Sequence, residues 1–242
     1  MRRSRLILLV LVALLLVGLV AVRVRRLPSA VPSAQQSGMV QVPTSPRPTP
    51  VEELFKGCPG EGDGTDAELN RLKNRVDEAD WQPVSVDALL QLKWPEGIER
   101  KHMAQWSPAD RAQVAEHNSV PVQAEGYLLD ARLQGPEATN CHSAQDLDFH
   151  LWLAAQPGDD RGTRSVVVEV TPRVGARHPA WTLQTFQALA RRKARVRISG
   201  WTMLDPEHPD QVGKSRGTIW EIHPVVRVDL MEPDGAWKGL GE

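Results

Sequence analysis

Hydrophobic and polar positions divide the chain into stretches with different periods. Leu6 to Val22 is an uninterrupted apolar run of 17 residues with arginines on both sides. That length is at the short end of what spans a bilayer as a helix, and the flanking arginines can reach the interfaces and extend it. Residues 27–50, LPSAVPSAQQSGMVQVPTSPRPTP, have no periodicity and are rich in Pro, Ser and Gln. Such a stretch cannot bury a core and reads as an extended tether.

Residues 51–118 read as a helical segment. Thr65 and Glu68 have capping-box spacing ahead of Leu69, Leu72 and Val76. Asp87 is placed to cap a short helix holding Leu89, Leu90 and Leu92, and Ser107-Pro108 opens another around Val114. These helices are too short and polar to fold alone, so they are expected to pack on the C-terminal part of the chain.

From Ser119 the period changes to two. Val120–Leu133, Asp146–Ala154, Arg164–Pro172, Ala194–Leu204 and Arg216–Leu230 read as five strands. A helix opened by His178-Pro179, with Leu183, Phe186 and Ala190 on its apolar side, falls between the third and fourth. The order β-β-β-α-β-β is that of an OB-like five-stranded Greek-key barrel, here over 119–232 with a C-terminal tail at 233–242. Gly126 and Gly200 are candidate bends or bulges for closure. A three-layer α+β domain is the rival. The fold class is thus mainly β with α: a barrel preceded by a small helical segment and an N-terminal transmembrane helix.

Composition changes this picture in two ways. The net charge of −1 includes six arginines and no acid within the first 26 residues, so the remainder carries −7. That balance lacks the electrostatic footprint of a general nucleic-acid binder, although a local basic groove stays open. Cys58 and Cys141 are the only cysteines. In an exported chain two cysteines usually pair, which would staple the helical segment to the barrel. The Asn140-Cys141-His142 triplet also allows a nucleophile reading, but adjacent side chains rarely exchange a proton.

Residues 1–26 read as an uncleaved signal-anchor. A cleaved signal peptide competes, yet no clean small-residue site lies beyond the apolar run. Three arginines stand before the run and three after it, so charge does not set the orientation. The Pro-rich stalk favours a domain outside the cytoplasm, periplasmic or at the cell surface.

Alternation also nominates chemistry. If Phe149, Leu151 and Leu153 face inward, Asp148, His150 and Trp152 face out. By the same parity Glu169 and Thr171, and then Glu221, His223 and Arg227, face out, with Trp220, Ile222, Val226, Val228 and Leu230 inward. Asp148, His150, Glu169, Glu221 and His223 would form one patch on the outer wall, ligands for a divalent metal such as zinc or an acid–base pair without metal. Polar residues on any half-exposed sheet explain each one singly. Trp152 and Trp201, on outward parity, are candidate stacking platforms. The 191–197 run RRKARVR is the basic cluster, and the 205–217 loop with Lys214 and Arg216 could close over an anion.

The ATNCHS segment, the D-x-H strand, the EVTPR strand and the RGTIWEIHPV strand together resemble a group of uncharacterised bacterial membrane-anchored or exported proteins that share a terminal W-E-I-H-P-V strand. The resemblance covers under half the chain and carries no mechanism. The reading is a binding or interaction module of undefined ligand. The alternative is a metal-assisted hydrolase, for phosphodiesters in one version, using His150, Glu169 and His223. An envelope protein without a small-molecule site is a third class.

Overall fold

The structure, a computed structural model, describes residues 54–98 and 101–242. The expected anchor and stalk at 1–50 lie outside them. Among the described residues no helix is long and apolar enough to cross a membrane.

All five expected strands form: β4 (Pro121–Leu133), β5 (Phe149–Ala154), β6 (Ser165–Val170), β7 (Arg195–Leu204) and β8 (Trp220–Met231). They pair in the order β4-β5-β6-β8-β7, and β7 returns to β4, closing a five-stranded barrel consistent with an OB-like fold. Every pairing in the ring is antiparallel except β6 with β8. Four short strands flank the ring in sequence: β1 (Leu54–Phe55) with β2 (Cys58–Pro59), β3 (Gln82–Ser85) parallel to β4, and β9 (Trp237–Gly239) against β8. β9 therefore forms inside the stretch expected as a tail.

Alternation fills the barrel. Val122, Ala124, Leu128, Leu151, Leu153, Val166, Val168, Ile198, Ile222, Val226 and Val228 meet in one cluster. The helix between β6 and β7 spans Leu183–Arg191 and presents Phe186, Leu189 and Ala190 to that cluster. Its cap is Thr182 rather than His178-Pro179; His178 instead stacks on Trp181 with ring centroids 3.9 Å apart. Gly200 is a bulge: the β7–β8 register shifts on both sides of it. Gly126 keeps register with Val196, and its role is close approach, since a Cβ there would lie 2.5 Å from the Ala154 carbonyl oxygen.

The helical segment lies against the barrel, with a core of its own. In chain order we number α1 (Ala67–Lys73), α2 (Val86–Gln91) and α3 (Pro108–Ala115). Leu69, Ile98, Met103, Trp106 and Val114 meet Met203, Leu204, Ile219 and Trp220. This corrects the inward reading of Trp220, which together with Leu204 serves the second core rather than the barrel interior. Two caps also move. Asp66, not Thr65, accepts from the Leu69 N–H, and Ser85, not Asp87, caps α2. Ser107 and Asp110 form the capping box of α3, with Pro108 in the first turn.

Cys58 and Cys141 are joined, with Cα atoms 5.8 Å apart across 83 positions of sequence. The bond ties β2 to the turn ahead of β5.

Candidate functional site

β5, β6 and β8 are neighbours on the barrel wall, and their registers stack polar side chains. His150 lies opposite Glu169, and the parallel step that pairs Val168 with Ile222 brings His223 beside Glu169. Asp148 enters from just before β5. The five expected residues Asp148, His150, Glu169, Glu221 and His223 thus come together on one wall, as alternation implied. Their exposure does not match the expectation. All five are buried, and the Asp148 and His223 side chains are wholly inaccessible.

The cover comes from distant segments. Asn140, in the turn held by Cys141, donates to Asp148 Oδ1 at 2.7 Å. Lys73, at the end of α1, pairs with Glu137 at 3.3 Å. Arg216, from the loop before β8, donates to Glu221 Oε1 and, at 2.9 Å, to Asp205 Oδ2. Arg216 is therefore an internal partner of carboxylates, not a clamp for an external anion. Thr171 does not point outward either; buried, it caps the short turn Pro172–Gly175.

At the centre, His150 Nε2 and Glu169 Oε1 are 2.5 Å apart. His223 Nδ1 lies 3.0 Å from Glu169 Oε2 and 3.6 Å from Glu221 Oε2, and its Nε2 lies 3.9 Å from Asp148 Oδ2. The 3.0 Å approach is an ion-pair distance, and no hydrogen bond of good geometry reaches either His223 nitrogen, Asp148 Oδ2 or Glu169 Oε2.

Burial and neighbours push the ionisations apart. Burial opposes charge on Glu169, but the His150 and His223 imidazoles outweigh it and hold the carboxyl well below its usual range. Burial likewise opposes charge on His223, and Glu169 and Glu221 overcome it, raising the imidazole to about 10. Asp148 is pushed up to about 7 by burial and then by Glu137. Glu221 is pushed up to about 7 by burial and then by Glu169. At the rim, the hydrogen bond to Asp205 raises His208 to about 9.

The two candidate stacking tryptophans are not open platforms. Trp201 is 1% exposed, with the Arg75 guanidinium 3.1 Å over its ring and Trp81 edge-on at 5.5 Å. Trp152 is buried, donates to the Ser215 carbonyl at 2.6 Å and lies under Arg161. Part of the basic cluster is also committed: Lys193 donates to the Leu129 carbonyl, Arg195 pairs with Glu125, and Arg197 pairs with Asp229. The disulfide removes any nucleophile at Cys141.

A cavity of about 260 Å³ opens beside the cluster, lined by Phe55, Cys58, Asn140, Cys141, Asp146 and Arg173 among others. Asn140 belongs to both, since it lines the cavity and holds Asp148. No sequence signal marks the roles of Asn140, Lys73, Glu137 or Asp205, because each depends on a partner from a separate segment. No protein-family model matches the chain, and no curated protein matches it.

Proposed function

We propose that the chain is an extracytoplasmic binding module, tethered to a membrane by residues 1–26, with an OB-like barrel as its body. Its binding centre is the acid–imidazole wall of β5, β6 and β8. The observation that carries the reading is the convergence of buried ligand-type atoms that make no hydrogen bond of good geometry: Asp148 Oδ2, Glu169 Oε2 and both His223 nitrogens. Removing charges from water costs several kcal/mol per ion, and well-packed apolar residues in their place are often neutral or stabilising. The barrel interior is filled by apolar packing, and a polar wall beside it supports a role other than stability. The Cys58–Cys141 bond is in keeping with an oxidising compartment, and the apolar run Leu6–Val22 supports the tether.

The test is the mass of the full chain, exported, purified in mild detergent and compared under native and denaturing conditions. The expected result is a native mass above that of the chain, with the excess lost in an Asp148→Asn, Glu169→Gln variant of unchanged circular dichroism. Equal masses under both conditions would overturn the reading.

One observation favours metal-assisted hydrolysis as a second reading. The cavity is lined by Asn140, which separates it from Asp148 by one hydrogen bond, so a small anionic ester held there would reach the wall if Asn140 swung aside. His150, Glu169 and His223 would then carry the chemistry. Turnover of a phosphodiester that is abolished by chelator and by His223→Gln would establish it.

A further inference from the structure

We infer that Asp148, Glu169 and His223 form a site for one divalent transition-metal ion such as zinc. The inference rests on the binding reading above and names its ligand. One ligand atom from each residue lies within 4.8 Å of the other two. Zinc bonds to oxygen and nitrogen are about 2.0–2.2 Å, so ligands at tetrahedral angles on one ion stand about 3.3–3.6 Å apart, and the three atoms would draw in by roughly 1 Å to close the site.

The carboxylates are held in the way metal ligands are held. Each has one oxygen fixed by a neighbour and the other left over. Asn140 binds Asp148 Oδ1, and His150 binds Glu169 Oε1. The remaining oxygens approach different nitrogens of the His223 ring, Asp148 Oδ2 at 3.9 Å from Nε2 and Glu169 Oε2 at 3.0 Å from Nδ1, and one of the two nitrogens would take the ion. Outer groups that orient the ligating atoms while leaving them bare are the usual surroundings of a bound ion. A buried polar atom without a partner otherwise costs about 1–3 kcal/mol, and this wall carries several.

Two carboxylate oxygens and an imidazole nitrogen suit zinc or manganese. The imidazole argues against calcium and magnesium, which take oxygen ligands, and no thiolate is offered to a softer ion because both cysteines are oxidised.

The experiment uses the full chain, stripped with chelator and titrated separately with zinc, manganese and cobalt chloride. Uptake is measured by elemental analysis, and cobalt also by its visible absorption. The expected result is one ion per chain, with binding weakened at least about 100-fold in Glu169→Gln and His223→Gln, and about 10–100-fold in Asn140→Ala, which removes only an orienting group. Asn140→Ala keeps the test open should a ligand variant fail to fold. Two results would overturn the inference: a folded wild type that takes up no ion at millimolar metal, or variants that bind as tightly as wild type. In either case an organic mass excess in the native measurement would leave the binding reading standing, whereas no excess would remove both.

Discussion

Removing the Cys58–Cys141 bond tests how the helical segment is held to the barrel. The bond closes a loop of 83 positions that contains α1, α2, α3, β3 and β4. In the chain-entropy account, a loop of that length restrains the unfolded chain by about 4.5 kcal/mol, near the upper end for native disulfides. A Cys58→Ala, Cys141→Ala variant should lose about that much. With a urea slope of about 2 kcal/mol per molar, the unfolding midpoint falls by about 2 M. Tryptophan fluorescence reports the transition in both layers, because Trp181 sits in the barrel core and Trp106 and Trp220 in the second. A midpoint shift under about 0.5 M at unchanged slope would refute the reasoning. It would mean that contacts between the loop ends, such as the Asp63 N–H donating to the Ala138 carbonyl at 3.0 Å, persist as residual structure in the unfolded chain and already hold the ends together.

Three further outcomes are expected. The His208–Asp205 pair raises His208 from 6.5 to about 9, so its contribution is full below about pH 6.5 and is lost as pH rises through about 9. His208 is 44% exposed, so solvent screening trims the gain to under about 1 kcal/mol; the melting-temperature gap between wild type and His208→Gln should be present at pH 6 and absent at pH 10. Asp148 is raised from 3.8 to about 7, so in metal-free protein its burial costs increasing stability as pH rises through that range. Asp148→Asn should therefore gain on wild type between pH 5 and pH 8 in chelator, and parallel pH profiles in urea titrations would contradict this. Gly200→Ala should cost about 1–3 kcal/mol, because its Cβ would press on the Pro224 carbonyl and lie 2.7 Å from Ile222 Cγ2; a urea midpoint equal to wild type would show that the bulge can yield.

The barrel is legible because period-two alternation is a local signal. Val166, Val168 and Val170 announce a buried face without knowledge of any partner, and the helix placed between β6 and β7 comes from its own apolar spacing. Parity also puts Asp148, His150, Glu169, Glu221 and His223 on the same wall. What parity cannot give is cover. Whether an outward residue meets water depends on segments elsewhere in the chain, and here Lys73, Asn140 and Arg216 arrive from three of them. The same limit explains Trp220. Its alternation with Ile222 holds, yet the bulge at Gly200 and the helices above β7 and β8 draw it into a second core that only the tertiary structure defines. Trp152 and Trp201 elude parity for the same reason: arginines from other segments lie over their rings.

The second core is assembled from two ends of the described chain. Leu69, Ile98, Met103, Trp106 and Val114 have to wait for Met203, Leu204, Ile219 and Trp220 before they are covered. β4 likewise finds β7 only after some seventy intervening residues, as the Gln123–Ser199 pair shows. Contacts so distant in sequence make folding slow. A chain threaded across a membrane from its anchor onward would deliver both cysteines to the far side well before β7 and β8. The bond between them could then form on an unfinished protein, and its partners in the wall would be the last to arrive. That order of delivery would make residues 195–231 the step on which everything earlier depends.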